Sequence, residues 1–318
     1  MDQQDKSKEW QLLEKVAMSS VAEQKRARRW GIFFKLLGFG YLFFMLALFM
    51  PERDRLADAG SKGKHTALVK LQGMILHEEA ASANAVVTGL RNAFEAKNSQ
   101  AVLLAINSPG GSPVQAGYIY DEIRRLREKH PDKKLYAVIS DLGASGAYYA
   151  AAAADEIYAD RASLVGSIGV ISASFGYTGA MEKLGIERRV ITAGDNKAFL
   201  DPFQELREED KQFWQQSLAL IHGQFIERVR QGRGDRLLND EEIFSGLIWS
   251  GEQALELGLV DGLGSAGYVA REVIGYEDIV DYSVKPNPLE ALIRQFGMSA
   301  GRAMARFVML QGQYPELQ

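Results

Sequence analysis

Cysteine is absent from this chain of 318 residues. Its absence excludes disulfides, a catalytic thiol and thiolate metal sites. It leaves the compartment open, because cysteine-free proteins occur in reducing and oxidising spaces alike. Histidine is scarce: His65, His77, His130 and His222 are all there is. No H-E-x-x-H or comparable cluster exists, so a metal centre finds no ligand set. His77-Glu78-Glu79 has no partner at metal-ligand spacing and reads as a solvated loop. Positive charge is not in excess either. The net charge is −4, which gives no global case for nucleic-acid binding. Internal repeats and low-complexity tracts are missing. What is present is enough chain for one large domain or two ordinary ones, with a real core.

One segment is not soluble in character. Trp30 to Met50 is apolar apart from Lys35, with Gly31, Gly38 and Gly40 inside it. As a helix rising about 1.5 Å per residue it measures roughly 31 Å, close to the ~30 Å hydrocarbon core. The uninterrupted part, Leu36 to Met50, reaches only about 22 Å by the same rise. Lys35 must therefore sit near one interface and extend its amine outward. Lys25, Arg26, Arg28 and Arg29 precede the run, and Pro51-Glu52-Arg53-Asp54 follow it. The positive-inside rule then puts the N-terminus in the cytoplasm and the main domain outside. A cleaved signal peptide wants a shorter apolar core and a small-x-small site. Leu48-Phe49-Met50-Pro51 offers no such site. A buried core helix would not carry this charge asymmetry. The expectation is a cytoplasmic segment at 1–29, a single transmembrane helix at 30–50 and a linker at 51–65.

From Thr66 the pattern changes. Ala67 to Leu76 is strand-like, and Asn84 to Ala96 reads as a helix. Ala101 to Ile106 is a short apolar run followed by turn signals, as in a strand buried on both faces. Ala116 to Lys129 is helical by its Ile119, Ile123, Leu126 spacing. Leu135 to Ile139 is the next strand and Tyr148 to Ala154 the next helix. Val165 to Ile171 and Val190 to Thr192 look like further short strands. Arg207 to Gln231 is a long amphipathic helix that starts in acids and ends in bases, as the helix dipole prefers. Strands alternating with helices indicate βαβ units and a largely parallel sheet. The main domain is placed at 66–280, with an amphipathic tail at 281–318. The tail's Arg294, Arg302 and Arg306 lie beside Leu292, Phe296 and Phe307. Such a tail suits a membrane surface, a neighbouring subunit or its own domain equally.

Three short segments carry candidate chemistry. Asn107-Ser108-Pro109-Gly110-Gly111 follows a strand and precedes a helix. Paired glycines there free backbone N–H groups to face an anion, although Pro-Gly-Gly also makes a plain turn. Gly143-Ala144-Ser145-Gly146-Ala147 again lies between strand and helix. A serine flanked by small residues on a tight turn exposes its hydroxyl; the bland alternative is a serine N-cap. Gly194-Asp195-Asn196-Lys197-Ala198 puts a lysine in a loop before apolar Ala198, Phe199 and Leu200. A lone lysine is usually a solvated surface group. To act as a base at pH 7 from a reference pKa of about 10.4 it must be kept neutral at a cost of roughly 4.6 kcal/mol. Burial lowers a lysine by about 3–5 units, which covers that cost.

The ordered set NSPGG, GASGAYYAA, VGSIGV, GDNKAFLDPF and GLIWSGEQALELGLVDGLG resembles the signal peptide peptidase SppA family, in its short, single-copy form. SohB-like relatives share the pattern. The resemblance spans residues 66 to 275. It implies an α/β fold of the ClpP/crotonase-like spiral type, preceded by one transmembrane helix. It also implies a serine endopeptidase with Ser145 as nucleophile and Lys197 as general base. The implied oxyanion donors are the backbone N–H groups of Gly111 and Gly146, and Ser167 is an implied hydrogen-bond partner of the lysine amine. No metal or cofactor is implied. The implied substrates are apolar remnant signal peptides, degraded at the outer, periplasmic face of the bacterial inner membrane. The family assembles as homo-oligomers in which neighbouring subunits can complete the active site.

Rival readings remain in view. His222 is the only histidine after Ser145, and Asp201 is the partner a Ser-His-Asp triad would invoke. Gly262 to Gly267 is a literal G-x-G-x-x-G, but too little chain follows it for a dinucleotide domain, so it reads as a turn and helix start. A crotonase-like acyl-CoA enzyme shares the fold class without needing Ser145 and Lys197. A non-catalytic membrane scaffold needs no chemistry at all.

Overall fold

Alternating strand and helix signals put the apolar runs side by side, each buried on both faces. The computed structural model describes residues 3–49 and 63–284. The chain divides into two compact units, residues 1–59 with 287–318 and residues 60–286. In the first, helix α1 (Gln3–Phe49) runs unbroken through the expected cytoplasmic segment and into the apolar run. Trp30, Phe33 and Phe34 group their rings on it, centroids 5.7 Å apart. Residues 46–50, which complete the run, lie outside those whose side chains are described. Among the described residues no helix is long and apolar enough to cross a membrane. Residues 50–62, most of the expected linker, and 285–318, nearly all of the expected tail, also lie outside the described residues.

The second unit is built on one sheet. Its central strands are β1 (His65–Gln72), β2 (Ser99–Ser108) and β3 (Leu135–Ala144). Strands β4 (Glu156–Ala159), β5 (Leu164–Gly166), β6 (Ile248–Ser250), β7 (Gly262–Leu263) and β8 (Ile279–Asp281) complete it. The order is β6-β5-β3-β2-β1-β8, with β4 on β3 and β7 on β4. Every pairing is parallel except β5 with β6. Between the strands run helices α2 (Ala83–Glu95), α3 (Pro113–Lys129) and α4 (Gly146–Ala151). Val86, Leu90 and Phe94 of α2, and Ile119, Ile123 and Leu126 of α3, recur at helical spacing. They pack with Val69, Leu104 and Ile139 in the main core. Leu68, Leu103, Tyr136 and Val138 alternate to the opposite face and form a smaller core with Val269.

Helix α5 (Thr178–Leu184) is short, and α6 (Glu208–Arg233) is the long amphipathic helix expected. Its last residue is locked inside the unit. Arg233, 1% exposed, donates to both carboxylate oxygens of Asp261 at 2.7 and 2.9 Å. Asp261 also accepts the Ile157 N–H at 2.7 Å. Burial pushes the Asp261 carboxyl up, but the hydrogen bond and charge of Arg233 outweigh it and hold it below the ordinary range.

Two expected strands differ. Val165 to Ile171 is cut to Leu164–Gly166, because Ser167 takes a φ of 50° and breaks the extended run. Val190 to Thr192 is not a strand. Among the described residues no strand pairs with it, and a strand without a partner leaves its backbone groups to solvent. The G-x-G-x-x-G segment is β7 followed by a short helical turn at Ala266–Tyr268, a turn and helix start as expected.

Candidate active site

Strands β2, β3 and β5 end together, with Ser108 opposite Gly143 and Ala144 opposite Gly166. The segments that follow, Pro109–Gly111, Ser145–Gly146 and Ser167, therefore share one edge of the sheet. Parallel α/β sheets carry their sites outside the carboxyl ends of the strands.

Ser145 sits where β3 turns into α4, with φ 53° and ψ −126°. A non-glycine residue in such a region costs of order 1–3 kcal/mol and is held there only by its surroundings. Here the hold is visible. The Ser145 N–H donates to the Gly166 carbonyl at 2.8 Å, and the Ser145 carbonyl accepts the Tyr149 N–H at 3.0 Å. The side chain occupies the N-cap position of α4 but makes no capping hydrogen bond. The N-cap alternative requires that bond. Ser145 is thus half-buried on a strained strand-to-helix turn and its hydroxyl is not committed to capping, a placement that leaves it available for chemistry.

The NSPGG segment closes over this turn. A Cβ on Gly110 would lie 2.6 Å from the Gly146 nitrogen and 2.7 Å from the Ala144 carbonyl oxygen. Gly110, with φ 88°, is therefore glycine for two independent reasons. The Gly110 N–H donates to Ser108 Oγ at 3.1 Å. Gly111 is bridged to Ile75, whose N–H donates to the Gly110 carbonyl at 2.9 Å. Ser112 then caps α3 with its side chain. A Cβ on Gly146 would lie 3.3 Å from the Gly111 nitrogen, so the two backbone N–H groups are neighbours. Among the described residues neither N–H donates to an acceptor. Two adjacent free donors beside a serine hydroxyl can stabilise an oxyanion.

Ser167 follows β5 with φ 50°, and its N–H donates to the Leu247 carbonyl at 2.7 Å. Its φ and position next to Gly166 set it beside the Ser145 turn. The next carbonyl, Ile168, accepts from His222 Nε2 at 3.0 Å. His222 thus anchors the segment after Ser167. Asp201, the partner a triad would need, accepts instead from Arg188.

Among the described residues no hydrogen bond joins Lys197 to Ser145. It is exposed in a turn, its N–H bonded to the Gly194 carbonyl at 3.2 Å. Its amine has no hydrogen-bond or ion-pair partner among the described residues. Ala198, Phe199 and Leu200 do not bury it. Phe199 turns instead against Phe213 and Trp214 of α6, at 5.6 and 6.0 Å between centroids. The surrounding stretch, 171–207, is open over most of its length and carries bare apolar side chains, with Ile171 88% and Ile191 99% exposed.

Two contributors, Trp249 and Tyr148, were not singled out by the sequence, and the glycine pair divides its roles. Gly110 rather than Gly111 is pressed on the serine turn; the doubled glycine was the available signal. Trp249 packs its ring 3.0 Å from a Cβ position on Gly166, bracing the carbonyl that holds Ser145. It stood inside the GLIWSG motif without distinguishing spacing. Tyr148 lies behind the serine, fully buried, and donates to the Leu259 carbonyl at 2.7 Å. Burial pushes its phenol up, so it is a neutral support. Among the described residues no group of metal-ligating side chains comes together.

Comparison with known proteins finds a match to peptidase family S49 over residues 127–274. That stretch includes Ser145, Gly146, Ser167 and Lys197. The chain is 35% identical over 205 residues to the putative protease slr0021 of Synechocystis, covering 64% of this chain and 72% of that protein. It is 33% identical over 178 residues to a putative signal peptide peptidase SppA of Enterococcus faecium, covering 56% and 51%. It is 47% identical over 186 residues to a Brucella abortus protein named Na(+)/H(+) antiporter NhaA, covering 58% of this chain. The chain spans only 25% of the length of that protein and of its Brucella melitensis counterpart.

Proposed function

The chain belongs to peptidase family S49, the SppA and SohB proteases, and from that premise we propose a serine endopeptidase that uses Ser145 and Lys197 as a dyad. One observation carries the reading. Ser145 is held at φ 53° on a strand-to-helix turn, uncapped, beside the free N–H groups of Gly111 and Gly146.

The neutral Lys197 amine takes the proton from Ser145 Oγ as Oγ attacks a peptide carbonyl. The carbonyl oxygen becomes an oxyanion and is held by the Gly111 and Gly146 N–H groups. The Lys197 ammonium then gives its proton to the leaving amine, and the peptide bond breaks. Water, deprotonated by Lys197, attacks the serine ester; the acyl–Oγ bond breaks, Lys197 returns the proton to Ser145 Oγ, and the acid is released. Ser167, beside the Ser145 turn, orients the lysine amine. No step calls for a metal or cofactor.

The exposure of Lys197 supports a dyad completed between subunits. A lysine serves as a base where burial keeps its amine neutral. The bare apolar stretch 171–207 is the kind of surface a second copy covers, and covering it would desolvate Lys197. In this reading the subunits form a closed homo-oligomer with a ClpP/crotonase-like spiral in each, and Ser145 of one meets Lys197 of its neighbour. Residues 30–50 anchor the chain in the inner membrane with the N-terminus cytoplasmic. The catalytic unit then faces the periplasm, where apolar remnant signal peptides are its substrates. The run of apolar sequence and the basic residues before it support that placement.

The test is hydrolysis of a fluorogenic apolar peptide by the full-length chain in detergent, wild type against Ser145→Ala. Cleavage by the wild type alone upholds the reading. Equal cleavage by both removes Ser145 as nucleophile. An inert, folded and assembled wild type moves the non-catalytic scaffold to the front. Turnover of an enoyl-CoA unaffected by Lys197→Ala would favour the crotonase-like alternative.

A further inference from the structure

The loop that bears Lys197 is exposed, yet it is not loosely held. Leu200, three residues on, has a φ of 55°. Among the described residues only Ser145 and Ser167 share that non-glycine conformation. A branched side chain keeps such a backbone only where neighbours impose it.

The neighbours are identifiable. The Asp201 side chain is 8% exposed, although the loop around it is open. Its carboxylate accepts from the Arg188 guanidinium and from the Phe203 N–H, the latter at 3.1 Å. The same guanidinium lies over the Phe203 ring, 4.8 Å from its centroid. Phe203 stacks on Tyr177 at 5.2 Å, and the Tyr177 N–H donates to the Pro202 carbonyl at 2.7 Å. Leu200-Asp201-Pro202-Phe203 is the second half of the lysine motif, and the proposed mechanism gives it no chemistry. All of these contacts converge on the strained turn just after the lysine.

We propose that Arg188 and Asp201 are positioning residues whose ion pair locks the Leu200 turn and so fixes the direction in which Lys197 is presented. The inference rests on Lys197 being the general base. Among the described residues neither side chain bonds Ser145 or Lys197; each acts through the backbone between residues 197 and 201. A planar guanidinium that grips a carboxylate and covers a ring in one geometry is suited to this, and an ammonium, which keeps only the charge, is less so.

The test uses the full-length protein in detergent, with Arg188→Gln and Asp201→Asn made separately and each combined with Lys197→Ala. Circular dichroism and gel filtration first identify which single variant is folded and assembled. In that variant kcat is expected to fall about tenfold to a hundredfold, the scale of a misplaced catalytic group. KM for the apolar peptide stays within about twofold, and the rising limb of the kcat–pH profile moves. Arg188→Lys recovers part of the loss. In the Lys197→Ala background the same substitution costs nothing further, because the group it positions is gone. A folded variant with wild-type kcat overturns the proposal. So does an equal proportional loss with and without Lys197, which marks a general structural role. Wild-type activity in Lys197→Ala alone overturns the base assignment instead, whatever Arg188 does.

Discussion

The N–H of Ser145 donates to the carbonyl of Gly166 at 2.8 Å. The serine turn is therefore hung on the neighbouring strand and not only on its own helix. Gly166 is in turn paired to Ile248 of β6 and braced by the Trp249 ring. A strained φ at Ser145 persists because separate elements over-determine it.

Gly110 closes the same turn from the other side. Gly110→Ala would drive a methyl into the Gly146 nitrogen and the Ala144 carbonyl, at a φ that alanine rarely takes. The expected result is a kcat/KM at least about a hundredfold lower, by analogy with loss of an oxyanion donor. Overpacking of this kind also costs about 1–3 kcal/mol, so the melting temperature falls by several degrees. Gly117→Ala is the control. It lies inside α3 with no atom within 4 Å of the added carbon, and should leave activity unchanged. Peptide hydrolysis and thermal denaturation of both variants check the contrast.

Subunit mixing tests where the dyad forms. Ser145→Ala and Lys197→Ala alone should each keep only a small residual activity. Co-refolded or co-expressed as mixed oligomers, they should regain about a quarter of wild-type activity if each site draws serine from one copy and lysine from the next. Mixed oligomers with no activity would put both residues in one subunit. Active-site labelling of the mixture by a serine-reactive probe reads the same outcome without substrate.

Glu122 makes the acid limb of stability specific. It accepts from Arg125 Nη2 at 2.6 Å and from Arg91 Nε at 2.7 Å, tying α3 to α2. The Arg125 hydrogen bond, opposed by burial and reinforced by Arg91, lowers its carboxyl to about 2. The unfolded value is about 4.3. With the folded pKa below the unfolded one, the stabilisation is fully present above about pH 4.3 and is lost as the pH falls toward about 2. Urea midpoints across that window should drop more steeply for wild type than for Glu122→Gln. Parallel curves for the two proteins would remove Glu122 from the acid transition.

Much of the molecule was legible before any coordinates. Apolar runs such as Ala101–Ile106 mark strands that helices cover on both sides, and the Ile119, Ile123, Leu126 spacing marks the buried face of α3; both are local patterns with a fixed period. The glycine pair at 110–111, the serine between small residues and the lysine motif were legible as types, because each chemistry demands particular atoms at a tight turn. The failure was not local in cause. Val190–Thr192 has strand composition but pairs with no strand among the described residues, and pairing is a property of neighbours, not of propensity.

By itself, then, the sequence determined the alternation of strands and helices, the identity of the groups that can do chemistry and the apolar run at 30–50. Only the tertiary structure decided that residues 110, 145 and 167 meet at one sheet edge, since strand register brings together positions far apart in the chain. It alone decided that Gly110 touches the serine turn and that Ser145 is held at φ 53°. It also left Lys197 in solvent, because Phe199, the aromatic residue after the lysine, is spent on packing against α6. Burial belongs to whatever surface arrives to cover a group, and that is not written in the residues adjacent to it.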